Sequence, residues 1–212
     1  MNNAHYTIEQ AEFLHYTQEK LGKIYDTHPV PAHSYDHVAR VARWAREIAT
    51  GEKARSVFLC ELAGWLHDIG HTRMQSGELG ERNHHELSYE TLKEWFYDDI
   101  RFVILTEAEK RELLYAVRYH WNNFADDYDT AWILRDADKL DLFGDIGVRR
   151  SLEFRGSDSK KLNLDMRLKY DSYYWIRTKT ARTIVENEKL MKPVDEFYAE
   201  MLREKVEVIT LT

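Results

Sequence analysis

Residues 54 to 69 are apolar on nearly every face and end in His67-Asp68-Ile69-Gly70. A helix without a polar face has to be packed on several sides, so this chain must supply enough other elements to surround it. The same segment carries two ionisable groups into the most enclosed part of the fold. Nine glycines and three prolines in 212 residues leave little turn chemistry for a many-stranded β protein, whereas helices joined by short loops need few such residues. The fold class expected is all-α, a helical bundle in one domain spanning 1–212, with a core over about 30–145 and C-terminal helices over about 160–210 packing on it.

Helical periodicity supports that reading along the chain. Thr7 stands three places before Gln10, a capping-box pattern, and Phe13, Leu14, Tyr16 and Leu21 follow at helical spacing. His28-Pro29-Val30-Pro31 breaks this first helix, and Ser34 or Asp36 can cap a second that runs to about Thr50. Residues 72 to 82 lack periodicity and read as a lid loop directly after the helix that carries His67. Further helices are expected at 84–97, 107–121, 129–143, 164–188 and 194–208, with glycines punctuating an irregular 144–163 segment.

A formal charge of −7 without any basic run argues against a nucleic-acid polymer or an anionic membrane as partner. A single cysteine, Cys60, excludes an intramolecular disulfide and a multi-cysteine zinc site. The start lacks the pattern of a signal peptide and no apolar stretch approaches a membrane span, so a cytoplasmic location is expected. A homodimer is left open.

The chemistry lies in polar residues that share apolar helix faces. His37 falls in line with Val41, Trp44 and Ile48, and His67 in line with Cys60, Ala63 and Gly64, small residues that admit a neighbouring helix. His120 shares a stripe with Leu113 and Val117, and Asp138 and Asp141 share one with Leu134 and Ala137. A carboxylate on a buried face calls for a compensating cation, and neither Lys nor Arg is as prominent on these stripes. Imidazole nitrogens and aspartate oxygens together suit Mn, Fe, Co, Ni or Zn better than Mg. A His-Asp pair alone arises about once by chance in such a chain; the ordered set of His37, His67-Asp68 and Asp138 is far more specific.

With HVARV around His37, LHDIG at 66–70 and DADKLD around Asp138, the sequence resembles the HD superfamily of metal-dependent phosphohydrolases over roughly residues 30–200. DADKLDLFGDIGVRR at 136–150 and TARTIVENE at 180–188 resemble its branch of small bacterial predicted hydrolases. The resemblance implies metal ligation by His37, His67, Asp68 and Asp138, and hydrolysis of a phosphoester or phosphoanhydride, of a nucleotide or small phosphorylated metabolite, by metal-activated water. In binuclear members two more histidines bind a second ion across a bridging aspartate. His85 and His120 sit at the matching places, with Asp68 as the bridge and His84 as the exposed neighbour. Asp68 would orient the water, Lys139 would add charge, and His71 is a candidate for proton transfer or substrate hydrogen bonding. Lys139, Asp141, Arg149 and Arg150 are the substrate-binding candidates.

After the doublet, His71 replaces the lysine usual in the superfamily's cyclic-dinucleotide phosphodiesterases, and their Gly-Tyr-Pro signature is missing. HDIGH with two intervening histidines also resembles the di-iron oxygenase branch related to inositol oxygenase. A non-catalytic metal or ligand sensor is a third class. His5, His15, His28 and His33 are given no metal role.

Overall fold

The computed structural model describes residues 6–31, 33–74, 83–156 and 158–210, with side chains described as far as residue 203. Among these residues all regular structure is helical: α1 (Ile8–Thr27), α2 (Tyr35–Glu52), α3 (Val57–Leu66), α4 (His84–Asp98), α5 (Glu107–Tyr119), α6 (Asp129–Leu140), α7 (Gly144–Arg155), α8 (Ser159–Tyr174), α9 (Lys179–Asn187) and α10 (Met191–Thr210). Short 3-10 helices cover Ile69–Arg73 and Ile100–Ile104. Among the described residues no helix is long and apolar enough to cross a membrane.

Local chemistry sets most of the boundaries. Thr7 and Gln10 close the expected capping box of α1, and Thr106 with Glu109 forms a second one on α5. The Ser56 side chain accepts from Leu59 N to start α3. The apolar run then continues past Leu66 as a tighter 3-10 turn, and His67 and Asp68 occupy the junction.

The chain groups into two compact units, Met1–Asp138 and Lys139–Thr212, the boundary falling within α6. In the first unit α2 and α3 form the closest helix pair. Val38, Val41, Ala45 and Ile48 of α2 are fully buried, as are Leu62, Ala63 and Leu66 of α3. Gly64 makes the approach possible, because a Cβ there would lie 2.5 Å from the Ala42 Cα. Phe13, Leu14 and Leu21 of α1, Leu92 of α4, Leu113 and Val117 of α5, and Ile133 and Leu134 of α6 complete this core.

The second unit gathers Leu162 and Met166 of α8 with Val194 and Met201 of α10, against which Val148 of α7 packs. Two expectations fail here. The 144–163 segment is not irregular, since α7 occupies most of it. Gly144 has φ +67°, and Gly147 lies where a Cβ would fall 2.0 Å from the Leu142 carbonyl, so these glycines serve a helix start and a close backbone approach. The helix expected over 164–188 is two, because Trp175 to Thr178 interrupt it and the Thr178 side chain caps α9 by accepting from Ala181 N. Of the aromatic residues in this stretch, Tyr170 packs against the α8–α10 cluster, while Tyr174 and Trp175 are exposed.

Candidate metal centre

Four stretches of the first unit bring imidazoles onto one carboxylate. The loop and first turn of α2 carry His33 and His37, and the α3 junction carries His67, Asp68 and His71. The start of α4 carries His84, and His120 closes α5. Gly70 lets α4 reach the doublet, since a Cβ on it would sit 2.1 Å from the His84 carbonyl oxygen, and its amide donates to Ser88 Oγ at 2.8 Å.

Asp68 is the hub. Its Oδ2 lies 2.7 Å from His33 Nδ1, 3.2 Å from His37 Nε2 and 3.8 Å from His71 Nε2. Its Oδ1 lies 3.5 Å from both His67 Nε2 and His84 Nε2 and 3.8 Å from His120 Nε2. Asp138 Oδ1 approaches His37 Nε2 at 3.5 Å and His67 Nε2 at 3.7 Å. Among the described residues neither carboxylate meets a lysine or an arginine.

The tautomers are set from behind. His67 Nδ1 donates to the Gly64 carbonyl at 2.9 Å and His120 Nδ1 to the Val117 carbonyl at 2.7 Å. A carbonyl can only accept, so in each ring Nδ1 holds the proton and the Nε2 lone pair faces the cluster. Among the described residues the buried Nε2 of His67 makes no hydrogen bond. His84 Nε2 and His120 Nε2 are 3.2 Å apart, two nitrogens converging beside an aspartate oxygen. Three overlapping sets place their ligand atoms within 4.8 Å of one another: His33, His37 and Asp68; His37, His67 and Asp138; and Asp68, His84 and His120.

Electrostatics point the same way. Burial pushes the imidazoles of His67, His85 and His120 below their ordinary value, His84 down to about 4 and His71 down to about 3. Burial would raise the Asp68 carboxyl, yet the histidines around it, His67 first, hold it well below the usual carboxylate range. Asp138 is also lowered, burial being outweighed by His67 and His37. Burial favours the neutral form of His67, His71, His84 and His120 while both aspartates are held toward their ionised form, so the cluster is short of positive charge. A divalent ion with nitrogen and oxygen preference satisfies both the charge and the inward lone pairs, so these residues fit a metal. The open side is marked by Asp138 and His33, each with 31% of its side chain exposed, and by His84 at 27%.

The structure brings His37, His67, Asp68, Asp138 and His120 together, as the sequence leads one to expect. It differs at two histidines. His84, expected to be the exposed neighbour, is the ring that reaches Asp68, whereas His85 lies beside it with its ring 6.2 Å from His120 and 5.4 Å from Trp121. His33, set aside from the sequence, makes the shortest contact to Asp68. It precedes the N-cap Ser34, so no helical phase marks it. His71 stacks between His33 and His84, at 4.0 and 4.2 Å between ring centroids. Of the lid expected at 72–82, Thr72 and Arg73 end a 3-10 turn, and 75–82 lies outside the described residues.

The remaining candidates belong to the second unit. Arg150 Nη1 donates to Asp141 Oδ2 at 2.6 Å, so each already engages the other, and Arg149 is exposed on α7. Lys139 is half-buried on α6, next in sequence to Asp138.

Two outcomes follow from this geometry. His84→Ala is expected to weaken metal binding by about 10- to 100-fold or more, the range for lost metal-site partners, and His85→Ala to weaken it less; titration with Mn(II) monitored by calorimetry checks the order. In chelator-treated protein, His84 takes up its proton at about pH 4 when folded but near 6.5 when unfolded. Between those values the unfolded state binds more protons, so stability falls as pH drops from 6.5 to 4, and His71 extends the fall toward pH 3. Thermal melts across that range should show a decreasing midpoint.

With the geometry in hand, comparisons place the chain among known proteins. The HD domain family model matches residues 34–142. Comparison by sequence with curated proteins gives no match. Among solved structures, the predicted HD superfamily hydrolase of an uncultured Thermotogales bacterium is 24% identical, with a TM-score of 0.64 over 90% of this chain and 92% of that one. An HD-superfamily hydrolase of Bacillus thuringiensis is 20% identical, TM-score 0.67, over 92% and 97%. YpgQ of Bacillus subtilis, in complex with ADP, is 17% identical, TM-score 0.61, over 97% of each chain. Since the matched stretch holds the His37 helix, the His67-Asp68 junction, His120 and Asp138, the chain belongs to the HD domain family.

Proposed function

We propose that this protein is a metal-dependent phosphohydrolase that cleaves a phosphoester or phosphoanhydride of a nucleotide or small phosphorylated metabolite. The observation that carries the reading is a hub aspartate whose partners, among the described residues, are all histidines. His37, His67, Asp68 and Asp138 would hold one divalent transition ion, and Asp68, His84 and His120 a second. When bound, such ions supply Lewis acidity to the phosphoryl oxygens and to the attacking water. Asp68 and Asp138, ionised and acceptor-only, orient that water by taking hydrogen bonds from it. His71, held neutral by burial, can donate a hydrogen bond to a phosphoryl oxygen or take up a proton. Lys139, next in sequence to Asp138, would add positive charge toward the phosphate. The ADP in the YpgQ crystal and the hydrolase names of the Thermotogales and B. thuringiensis neighbours lend support.

The test is phosphate release from a panel of nucleotides and phosphomonoesters by protein loaded with Mn, Co, Zn or Fe, with dissolved oxygen recorded in parallel. Metal-dependent phosphate release at constant oxygen supports the reading. Oxygen consumption by an iron-loaded protein without phosphate release would assign the centre to oxygenase chemistry, and tight ligand binding without either would make it a sensor.

A further inference from the structure

Among the described aromatic rings of the first unit, Phe13, Phe58 and Phe102 are buried, while Tyr97, Trp121 and Phe124 are exposed. Of the exposed three, Trp121 is the one next to a histidine of the metal centre. It directly follows His120, whose ring is buried in the metal centre, yet the indole itself is 58% exposed. It lies 5.4 Å from the His85 ring at 31° between planes, and His85 in turn lies 5.2 Å from His84, whose Nε2 faces Asp68. The exposed indole is thus two ring contacts away from the carboxylate hub. Beside it, His85 Nδ1 is buried and makes no hydrogen bond among the described residues, a polar group left for a ligand to use.

The segment carrying this indole is fixed. Arg135 of α6, only 3% exposed, donates through Nη1 to the carbonyls of Asn122 at 2.5 Å and Ala125 at 2.6 Å, and through Nη2 to Asp126 Oδ1 at 2.9 Å. Phe124 N adds a bond to Asn122 Oδ1 at 3.0 Å. A buried guanidinium spent on holding a surface loop presents Trp121 in a set position, which lowers the ordering cost of any flat ligand that lies on it.

We propose that Trp121 is the platform on which the base of a nucleotide stacks while its phosphates reach toward the Asp68 cluster. This assignment rests on the phosphohydrolase reading for what occupies the metal end, and it narrows that reading to substrates bearing an aromatic base. Stacking on an aromatic side chain tolerates any base, because every base has a π-face. The platform therefore selects nucleotides over base-free phosphates without choosing strongly among bases, and His85 Nδ1 is the nearest group able to add a preference.

The test is calorimetric binding of ADP and of inorganic pyrophosphate to Mn(II)-loaded protein, in wild type, Trp121→Ala and Trp121→Phe, with phosphate release measured on the same samples. The expected result is roughly ten- to hundredfold weaker ADP binding in Trp121→Ala, the range for a lost base stack, with pyrophosphate binding unchanged and most ADP affinity restored by Trp121→Phe. Equal ADP affinity in wild type and Trp121→Ala, or a parallel loss for pyrophosphate, overturns the platform. Selective loss of ADP binding in a protein that releases no phosphate from any substrate keeps the platform and removes the hydrolase reading. Turnover indifferent to Trp121 does the reverse.

Discussion

Replacing Asp68 by Asn is expected to strip the protein of metal and lower its turnover on the order of a thousandfold, while its helical circular dichroism is retained. The substitution keeps the shape of the side chain and removes its charge. Metal binding by this centre would require that charge, because Asp68 is the carboxylate of two of the three ligand sets, with His33 and His37 on one side and His84 and His120 on the other. Metal catalysis supplies several kcal/mol of transition-state stabilisation, and each ~1.4 kcal/mol is a factor of ten, which gives the thousandfold estimate. The fold should survive, because α3 is held by the apolar faces of Leu62, Ala63 and Leu66 against α2 and not by the carboxylate. Metal content by elemental analysis, read beside phosphate release, checks both halves. An Asp68→Asn protein that keeps its metal and its activity would mean that the hub is elsewhere.

The second large effect is expected from a single methyl group far smaller than any ligand. In Gly70→Ala the new Cβ meets the His84 carbonyl oxygen at 2.1 Å and Ser88 N at 2.5 Å, both backbone atoms that no rotamer change can move. Over-packing of this kind typically costs ~1–3 kcal/mol, and at ~2–4 °C per kcal/mol for a chain of this size the melting temperature should fall by roughly 2–12 °C. The strain is relieved only if the start of α4 withdraws, and that segment carries His84. Metal affinity should therefore fall together with stability, a pairing that a remote core substitution such as Leu21→Ala would not produce. Thermal melts and Mn(II) titration of the two variants side by side read the difference; equal metal affinity in Gly70→Ala and wild type would show that α4 does not depend on this contact.

The helices and the central quartet were legible because they are periodic. His37, His67, His120 and Asp138 could be found from the stripes they share with Val41, Ala63, Val117 and Ala137, since a helical phase predicts which way a side chain faces. His33 and His84 were not legible, because one lies before α2 and the other is the first residue of α4, and neither place has a phase to read. The choice of His85 over His84 followed from the resemblance to binuclear relatives, and here the close approach at Gly70 turns the first ring of α4 inward. The second unit was read least well for a related reason. Gly144 and Gly147 look like breakers in a sequence, yet one starts α7 and the other lets its backbone pass the Leu142 carbonyl, and only three-dimensional proximity distinguishes those uses. Likewise the gap before α9 rests on Thr178 as a cap, a short polar signal inside the stretch expected to be one helix over 164–188.

The central claim is that imidazoles and aspartates from separate helices surround a metal ion. Anomalous X-ray diffraction from crystals grown with Mn(II) tests it most directly. The expected result is a peak among His37, His67, Asp68 and Asp138, with any second peak between Asp68, His84 and His120. An anomalous map with no peak inside this ring of histidines, from protein saturated with the metal, would contradict it.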